Sequence, residues 1–287
     1  MPDASERSRD EQLRSLKEIE AIFHNESSGL QQKIGRSIAD FTVALFAVSQ
    51  SKEGDLLELG GTGTLVAVAG CHYILTAAHV WERVLKSAVK VGITLKEGVD
   101  HRFLMDVNTI VPSGVPKPNA WGEWGPDLTF LRVPDGHVGS ISAYRVFYNL
   151  TMVRPDTIDV GCLEIGMLMG TPAELGQFVQ THAEVRINGL FLDVGAPYTH
   201  GDFDYVDLDV DVSSPSPALS QDFGGVSGGG LWQVLIYRSA LTDEIEWRAT
   251  LEGVAFHQSA LVNGHRIIRC HGKQSMRAAM PNATPSN

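Results

Sequence analysis

The hydrophobic positions of the chain follow two different patterns, which meet near residue 40. Residues 9–36 carry apolar side chains at spacings of mostly three and four, as an amphipathic helix does. These positions are Leu13, Leu16, Ile19, Ile22, Phe23, Leu30 and Ile34. We expect this N-terminal amphipathic helix to dock on its own domain, with a regulatory or partner-binding arm as the alternative.

The rest of the chain has the pattern of short strands. Apolar runs rich in β-branched residues alternate with Gly, Pro, Asn and Asp, which is typical of an all-β sandwich or barrel. The runs include FTVALFAVS, GTLVAVAG, YILTAAHV, KVGITL, LTFLRV, IDVGCLEIGML, EVRINGLFLDV, DYVDLDVDV, LWQVLIY, ATLEGVAF and RIIRC. The pattern therefore predicts an all-β protein behind a helical extension.

Patterning is weak around Ser140–Asp156, and we place a linker there. The sequence then divides into a helical extension over 1–38, a first β domain over 39–150 and a second β domain over 151–287 that includes a C-terminal tail. No internal repeat or low-complexity tract marks a further boundary.

One predicted strand carries four aspartates among its apolar residues. They are Asp204, Asp207, Asp209 and Asp211. A solvated acidic face is the favoured interpretation, and a cation site or a docking patch for basic segments are the alternatives. Their spacing does not match an EF-hand loop.

Composition and charge narrow the class of protein. The 287 residues are 43% hydrophobic and 20% charged, enough for a sizeable core. A formal net charge of −11 disfavours nucleic acid and anionic lipid as partners. No window approaches about eighteen consecutive apolar residues, and the first forty or so are too charged for a secretory signal. We expect a cytoplasmic protein without a membrane segment.

The three cysteines, Cys71, Cys162 and Cys270, lie far apart in the sequence. They form no C-x-x-C pair of the kind that binds zinc or exchanges disulfides. We expect them to be buried thiols.

Three short strings contain residues suited to nucleophilic catalysis. His79 ends the apolar run in TAAHV, Asp127 stands where the GPDLTFL loop becomes a strand, and Ser227 lies in GGVSGGGLW. The first two have ordinary structural explanations when each is considered alone. A serine among five glycines is harder to explain, because glycine loses the most backbone entropy on folding.

The glycines allow a tightly bent backbone whose N–H groups can approach an incoming oxygen. We expect the amides of Gly225 and Ser227 to form an oxyanion hole. Ser227 would need a base to accept its proton and a third group to orient that base. His79 and Asp127 can serve as that base and that orienting group.

The order His, Asp, Ser and the three strings resemble the trypsin/chymotrypsin-like serine peptidases, in particular bacterial intracellular members. Supporting similarities are GTGTL over 61–65, MGTP over 169–172 and LEGVAF over 251–256. The resemblance covers about residues 40–272. It implies two antiparallel six-stranded β-barrels, with His79 and Asp127 from the first and Ser227 from the second.

The same resemblance implies a serine endopeptidase that cleaves a polypeptide through an acyl-enzyme, without metal or cofactor. The substrate would lie beside Phe256–Gln258 as an added strand. Counted back from Ser227, the residue at the base of the primary specificity pocket would be Gln221. If that count is wrong by one residue, Asp222 would take the position instead. His257 falls near a wall of the same pocket. It would either favour an acidic or polar side chain in the substrate or be a structural histidine that does not contact the substrate.

Two departures from the family exclude familiar features of its secreted members. Val226 replaces the aspartate that pairs with a newly cut amino terminus in digestive members, so that activation switch cannot operate. Val80 follows His79 where secreted members have a bracing cysteine.

Gly230 replaces the usual proline, and we expect a mobile loop after Ser227. A partner or ligand that orders this loop is one hypothesis for regulation.

Other interpretations of the motifs lead to different classes of protein. Gly225–Gly229 also fits the G-x-S-x-G nucleophile elbow, but that elbow must lead into a helix, and LWQVLIY predicts a strand. Gly61–Thr64 lacks the third glycine of a nucleotide loop. The main alternative is a peptidase-fold binding or sensing module with little or conditional turnover, which contacts a protein partner through its N-terminal helix.

Overall fold

The chain folds into two large sheets with short helices around them. In this computed structural model the described residues are 4–52, 54–95, 102–114, 124–152, 161–179, 182–214, 220–239 and 241–281. The protein is mostly β, as the sequence predicts. Parts of the predicted linker and of the C-terminal tail lie outside the described residues.

The N-terminal amphipathic stripe forms two helices instead of one continuous helix. Asn25 accepts a hydrogen bond from Ser27 N at 3.0 Å and thereby starts a new turn, and Gly29 has φ +66°. A left-handed residue ends a helix, so the chain changes direction here. The helices are α1 (Ala4–His24), α2 (Leu30–Ala39), α3 (Ala78–Arg83), α4 (Asp135–Ser142) and α5 (Lys273–Ala279).

Both N-terminal helices dock on the body of the protein. Ile19 and Phe23 of α1 are 0% and 1% exposed, and Ile34 of α2 is 0% exposed. The Phe23 ring meets Phe191 edge to face at 5.2 Å between centroids. This confirms docking on the same chain, while Leu13, which is 48% exposed, leaves part of α1 open to solvent.

Within the described ranges, the first sheet contains eight strands, paired in the order β5, β4, β1, β2, β3, β7, β6 with β8 beside β2. Among these strand pairs, only that of β2 and β8 is parallel. The strands are β1 (Thr42–Ser51), β2 (Gly54–Val68), β3 (Cys71–Thr76), β4 (Lys90–Thr94), β5 (Arg102–Asp106), β6 (Val111–Ser113), β7 (Thr129–Arg132) and β8 (Tyr148–Asn149).

The second half contributes nine strands within the described ranges. They are β9 (Leu163–Gly170), β10 (Gln177–Val179), β11 (His182–Glu184), β12 (Asn188–Leu192), β13 (Tyr198–His200), β14 (Phe203–Asp211), β15 (Gly230–Arg238), β16 (Ile245–Gln258) and β17 (His265–Gly272). Seven of them pair antiparallel in the order β12, β9, β15, β16, β17, β14, β13, and β10 and β11 form a separate hairpin.

The two sheets are not two evident closed six-stranded barrels, and one of them is curved as a half-barrel. Within the described part of the chain, β5 and β6 end the first pairing order and β12 and β13 end the second. Runs of apolar residues predict strands, but closure depends on which edge strands pair, and this is not encoded locally.

Among the described residues, three apolar cores hold these layers together. One is centred on the first sheet around Leu45 and also takes Tyr205 and Phe256 from the second sheet, and one lies within the second sheet around Leu208. The third core joins both halves beneath the N-terminal helices and contains Phe130, Met167 and Trp232. It packs the two sheets against each other, so residues from both can meet in one site.

Two other sequence predictions were partly wrong. Cys270 is buried, but Cys71 and Cys162 are partly exposed, and none of the three forms a disulfide. The acidic strand is β14, where Asp209 and Asp211 are exposed but Asp204 is 7% exposed. Asp204 is buried because it accepts hydrogen bonds from the first turn of α5.

The described segments contain no helix that has both the length and the apolar character needed to cross a membrane.

Candidate active site

His79 lies at the end of a buried strand. Strand β3 ends at Thr76, and α3 begins at Ala78, so His79 occupies the first turn of the helix. The side chain of His79 is 23% exposed. The neighbouring Ala78 and Val80 are fully buried, which anchors the backbone while the imidazole keeps contact with solvent.

Asp127 binds His79 through both of its carboxylate oxygens. Oδ1 accepts the His79 backbone N–H at 2.8 Å, and Oδ2 lies 2.6 Å from His79 Nδ1. A carboxylate only accepts hydrogen bonds, so Nδ1 carries the proton and Nε2 is left as a proton acceptor. Asp127 is 3% exposed, and water therefore competes little for its oxygens.

His271, a residue that the sequence did not single out, holds the backbone of Asp127. The Asp127 N–H donates to His271 Nε2 at 3.0 Å. The His271 ring is fully buried and stacks on Phe256 with centroids 4.2 Å apart. Burial lowers the pKa of His271 to about 4, although the charges of Asp127 and Asp204 oppose the shift.

The signal for His271 was weak in the sequence, since HG after an apolar strand has no distinctive spacing to Asp127. Its role comes from the pairing of β17 with β16, which places it next to a loop 144 residues away along the chain. His271 is thus a positioning candidate that only the fold makes visible.

Ser227 is brought next to the His79 turn from the other half of the protein. The Thr62 N–H of β2 donates to Ser227 O at 2.8 Å. A Cβ on Gly61 would lie 2.8 Å from Val80 Cγ2 and 2.9 Å from Ser227 O. Gly61 therefore permits a close approach of the serine loop to the residue that follows His79.

No hydrogen bond joins the Ser227 hydroxyl to the His79 ring among the bonds of the described residues. Catalytic hydrogen bonds are often long when no substrate is bound, so the absence of this bond is compatible with Ser227 as a nucleophile and His79 as its base. The structure brings His79 and Asp127 into direct contact and Ser227 into their neighbourhood.

The serine loop consists of two consecutive tight turns. Val226 N donates to Phe223 O at 3.0 Å, and Gly229 N donates to Val226 O at 2.7 Å. The third residue of each turn is a glycine at positive φ, +90° for Gly225 and +91° for Gly228. This arrangement is typical of type II turns, which require glycine at that position. Strand β15 follows at Gly230, so the loop leads into a strand, as predicted.

The backbone amides of Gly225 and Ser227 donate to no other group in the described part of the chain. Both residues are partly exposed, whereas Val226 between them is buried. Two adjacent unpaired N–H groups beside a serine can accept an oxyanion from a ligand. The assignment of these amides to an oxyanion hole stays a prediction.

The three predicted pocket residues occupy different environments. Gln221 is exposed. Its backbone N–H donates to Glu174 Oε2 at 2.8 Å, and its carbonyl accepts a hydrogen bond from Arg266 Nε at 2.7 Å. Phe256 is 3% exposed against His271, so its side chain faces the core and only its backbone can meet a substrate. His257 is partly exposed on the next position of β16.

The sequence also missed Glu174, whose carboxylate holds the start of the serine loop. Its Oε2 accepts from the Ser220 hydroxyl at 2.7 Å and from Asp222 N at 2.9 Å, besides Gln221 N. These bonds, the one from Ser220 foremost, lower the pKa of Glu174. The side-chain amide of Gln258 also holds the loop. Its Oε1 accepts a hydrogen bond from Phe223 N at 3.0 Å, and its Nε2 donates to Asp222 Oδ1 at 2.7 Å.

Within the described ranges, no group of three His, Cys, Asp or Glu side chains is placed to hold a metal ion. The groups that the site presents are the His79 imidazole, the Asp127 carboxylate, the Ser227 hydroxyl and the backbone amides. No protein-family model and no curated protein matches this chain.

Proposed function

We propose that this protein is a serine endopeptidase that hydrolyses a polypeptide through an acyl-enzyme. The observation that carries the proposal is the two-point contact of Asp127 with His79. It is accompanied by the amides of Gly225 and Ser227, which have no hydrogen-bond acceptor among the described residues, on the serine loop that binds Thr62. A proton acceptor and an oxyanion site beside one serine are the parts that acyl transfer requires.

In the proposed mechanism, His79 Nε2 accepts the Ser227 hydroxyl proton as Oγ attacks the scissile carbonyl. The carbonyl oxygen becomes an oxyanion on the N–H groups of Gly225 and Ser227. His79 then donates its proton to the leaving amine, which departs as the C–N bond breaks and leaves an ester on Ser227. Water, deprotonated by His79, hydrolyses the ester and restores the hydroxyl.

Asp127 keeps the His79 ring in the tautomer that accepts at Nε2, and it stabilises the imidazolium formed in each step. The resemblance to trypsin-like peptidases supports this assignment, and we extend it to a two-barrel ancestry for the two sheets. The polypeptide would pair with the backbone of Phe256–Gln258, and Gln221 and His257 would contribute to side-chain preference.

One observation favours the alternative of a binding or sensing module with little turnover. The Ser227 hydroxyl makes no hydrogen bond to His79 among the described residues, so the nucleophile is not yet paired with its base. The two candidates differ in the reactivity of Ser227, because only a working base and oxyanion hole make a serine react quickly.

Labelling by a fluorophosphonate probe tests the proposal. We expect rapid labelling of the wild type and of Ser27→Ala, an exposed serine in the turn between α1 and α2, and none of Ser227→Ala. Digestion of a peptide library should then reveal cleavage that Ser227→Ala lacks. If the folded wild type labels no faster than Ser227→Ala, the enzyme is ruled out and the binding module is favoured.

A further inference from the structure

The orientation of two peptide groups decides whether an oxyanion hole exists at Gly225. The Gly225 N–H belongs to the peptide that joins Gly224 and Gly225, and the next peptide joins Gly225 to Val226. Glycines impose little restriction on rotation of these groups, so something else must hold them. The contacts on the carbonyl side of both peptides identify what does.

The Gly224 carbonyl accepts a hydrogen bond from Ala173 N at 2.7 Å. In a trans peptide the C=O and the N–H point in opposite directions. A Gly224 oxygen fixed on Ala173 therefore turns the Gly225 N–H to the other side, where it has no described partner. Rotation of this peptide would direct the oxygen into the hole.

The Gly225 carbonyl accepts a hydrogen bond from Thr62, which is itself held by Thr171. Thr62 Oγ1 lies 2.7 Å from Gly225 O, and Thr171 Oγ1 lies 3.3 Å from it. The two hydroxyl oxygens are 2.8 Å apart, and Thr171 N donates to Thr62 Oγ1 at 2.9 Å. Both threonines are 0% exposed.

The hydroxyl protons can be assigned from these distances. Thr62 Oγ1 has one proton, which goes to its short contact on Gly225 O, and it accepts from Thr171 N and from the Thr171 hydroxyl. All its hydrogen-bonding capacity is then used in a fixed geometry. Thr62 comes from β2 of the first sheet and Thr171 directly follows β9 of the second, so the pair spans both halves.

We propose that Thr62, Thr171 and Ala173 are positioning residues that keep the oxyanion hole assembled in the resting protein. They replace the ion pair with a newly cut amino terminus, which Val226 cannot form. With these contacts in place, the serine loop is ordered without a protein partner. The three residues set the orientation of the peptides on either side of Gly225. The inference rests on the proposed peptidase function, because only that reaction gives the Gly225 N–H an oxyanion to bind.

Ala173→Pro removes the hydrogen-bond donor to Gly224 O with little demand on the backbone. Pro172 already has φ −58° and ψ 126°, the extended conformation that a residue before proline requires. Ala173 begins a short 3₁₀ turn, where proline is tolerated. We expect kcat to fall about 100-fold or more with little change in KM, since loss of one oxyanion donor has that effect. Ala173→Gly keeps the N–H and should recover most of kcat.

The threonine pair gives a second test that does not involve proline. Thr62→Val and Thr171→Val should each lower kcat about tenfold through the lost hydroxyl bonds, and Thr171→Ser should restore it. Thr42→Val is the matched control, because Thr42 is also 0% exposed but its hydroxyl points to Ile38 O. Thermal unfolding of each variant shows whether a fall in kcat comes from lost folding.

A crystal structure of Ala173→Pro separates this inference from the proposed function. We expect the peptide between Gly224 and Gly225 to have rotated, whether or not the wild type cleaves peptides. If the peptide keeps its orientation, or if folded Ala173→Pro and Thr171→Val retain the kcat of an active wild type, the inference is wrong and the peptidase function stands. Failure of Ser227 to label in the wild type would remove the peptidase function instead.

Discussion

At the scale of single residues, the candidate site depends on three hydrogen bonds that position Asp127 and His79 relative to each other. Asp127 uses both carboxylate oxygens on His79 and its N–H on His271. Each bond fixes one degree of freedom: the ring tautomer, the ring position and the path of the Asp127 backbone. A change of one atom in this arrangement should therefore be visible in catalysis.

Asp127→Asn tests the role of the carboxylate in the proposed reaction. The amide keeps the shape but presents a donor or a weaker acceptor to His79, which favours the wrong tautomer. We expect kcat to fall about 10⁴-fold with KM nearly unchanged. Steady-state kinetics on a peptide found in the library digest measures both constants.

Asp135→Asn is the matched control, because the Asp135 side chain is 76% exposed and forms a long ion pair with Arg132 at 3.8 Å. It should retain wild-type kcat. Retention of more than a third of kcat by Asp127→Asn would contradict the orienting role of Asp127.

At the scale of elements, the N-terminal helices are a structural part of the protein. Asn25 and Gly29 break the stripe, which allows α1 and α2 to lie on different parts of the same core. Glu18 of α1 also pairs with Arg238 of β15 at 3.1 Å, although this exposed pair adds little stability. The apolar positions hold the helices in place.

Phe23→Ala measures that contribution. Phe23 is 1% exposed and contacts the Phe191 ring, so its removal leaves a cavity. We expect the free energy of unfolding to fall by about 3–5 kcal/mol in chemical denaturation. Leu13→Ala, on the exposed part of α1, should change it by less than about 0.5 kcal/mol. Similar small effects at both positions would mean that α1 is only loosely attached.

At the scale of the whole molecule, the two halves are joined at the candidate site itself. The Asp127 N–H of the first half donates to His271 of the second, and Thr62 N donates to Ser227 O. The core that contains Trp232 also takes side chains from both sheets. Stability of the whole protein and geometry of the site should therefore respond to the same changes.

The buried His271 makes this coupling dependent on pH. Its pKa is about 4 in the folded protein against 6.5 for an unperturbed histidine, so the unfolded chain binds the proton more tightly. The free energy of unfolding should then fall as the pH is lowered from about 6.5 to about 4, by about 3 kcal/mol for this group.

His271→Gln keeps an acceptor for Asp127 N but cannot be protonated, and it should lose this part of the pH dependence. Denaturant unfolding of wild type and variant at pH 7 and pH 4.5 gives the difference. His24→Gln, at an exposed position, should follow the wild type. Parallel pH profiles for wild type and His271→Gln would show that His271 is not the group responsible.

The local pattern of the sequence was sufficient for the β-rich class and for the amphipathic stripe, and the assignment of His79, Asp127 and Ser227 to catalysis stays a prediction. Each depends on side chains that are near one another in sequence, such as a serine among glycines or alternating apolar runs. The broken helix was missed because the stripe continues across Asn25–Gly29 and hides the turn. Two open pairing orders instead of evident closed barrels were missed for a different reason, since edge pairing joins distant strands.

What the sequence determined by itself is which residues are candidates for the proposed chemistry, because residue type and local backbone preference are properties of short segments. Only the tertiary structure decided which distant residues hold them: His271 behind Asp127, Glu174 on the serine loop, and Thr62 with Thr171 on Gly225. Those partners are set by strand register and by the packing of two sheets. These hydrogen bonds join segments 46 to 163 residues apart and leave no pattern in either segment alone.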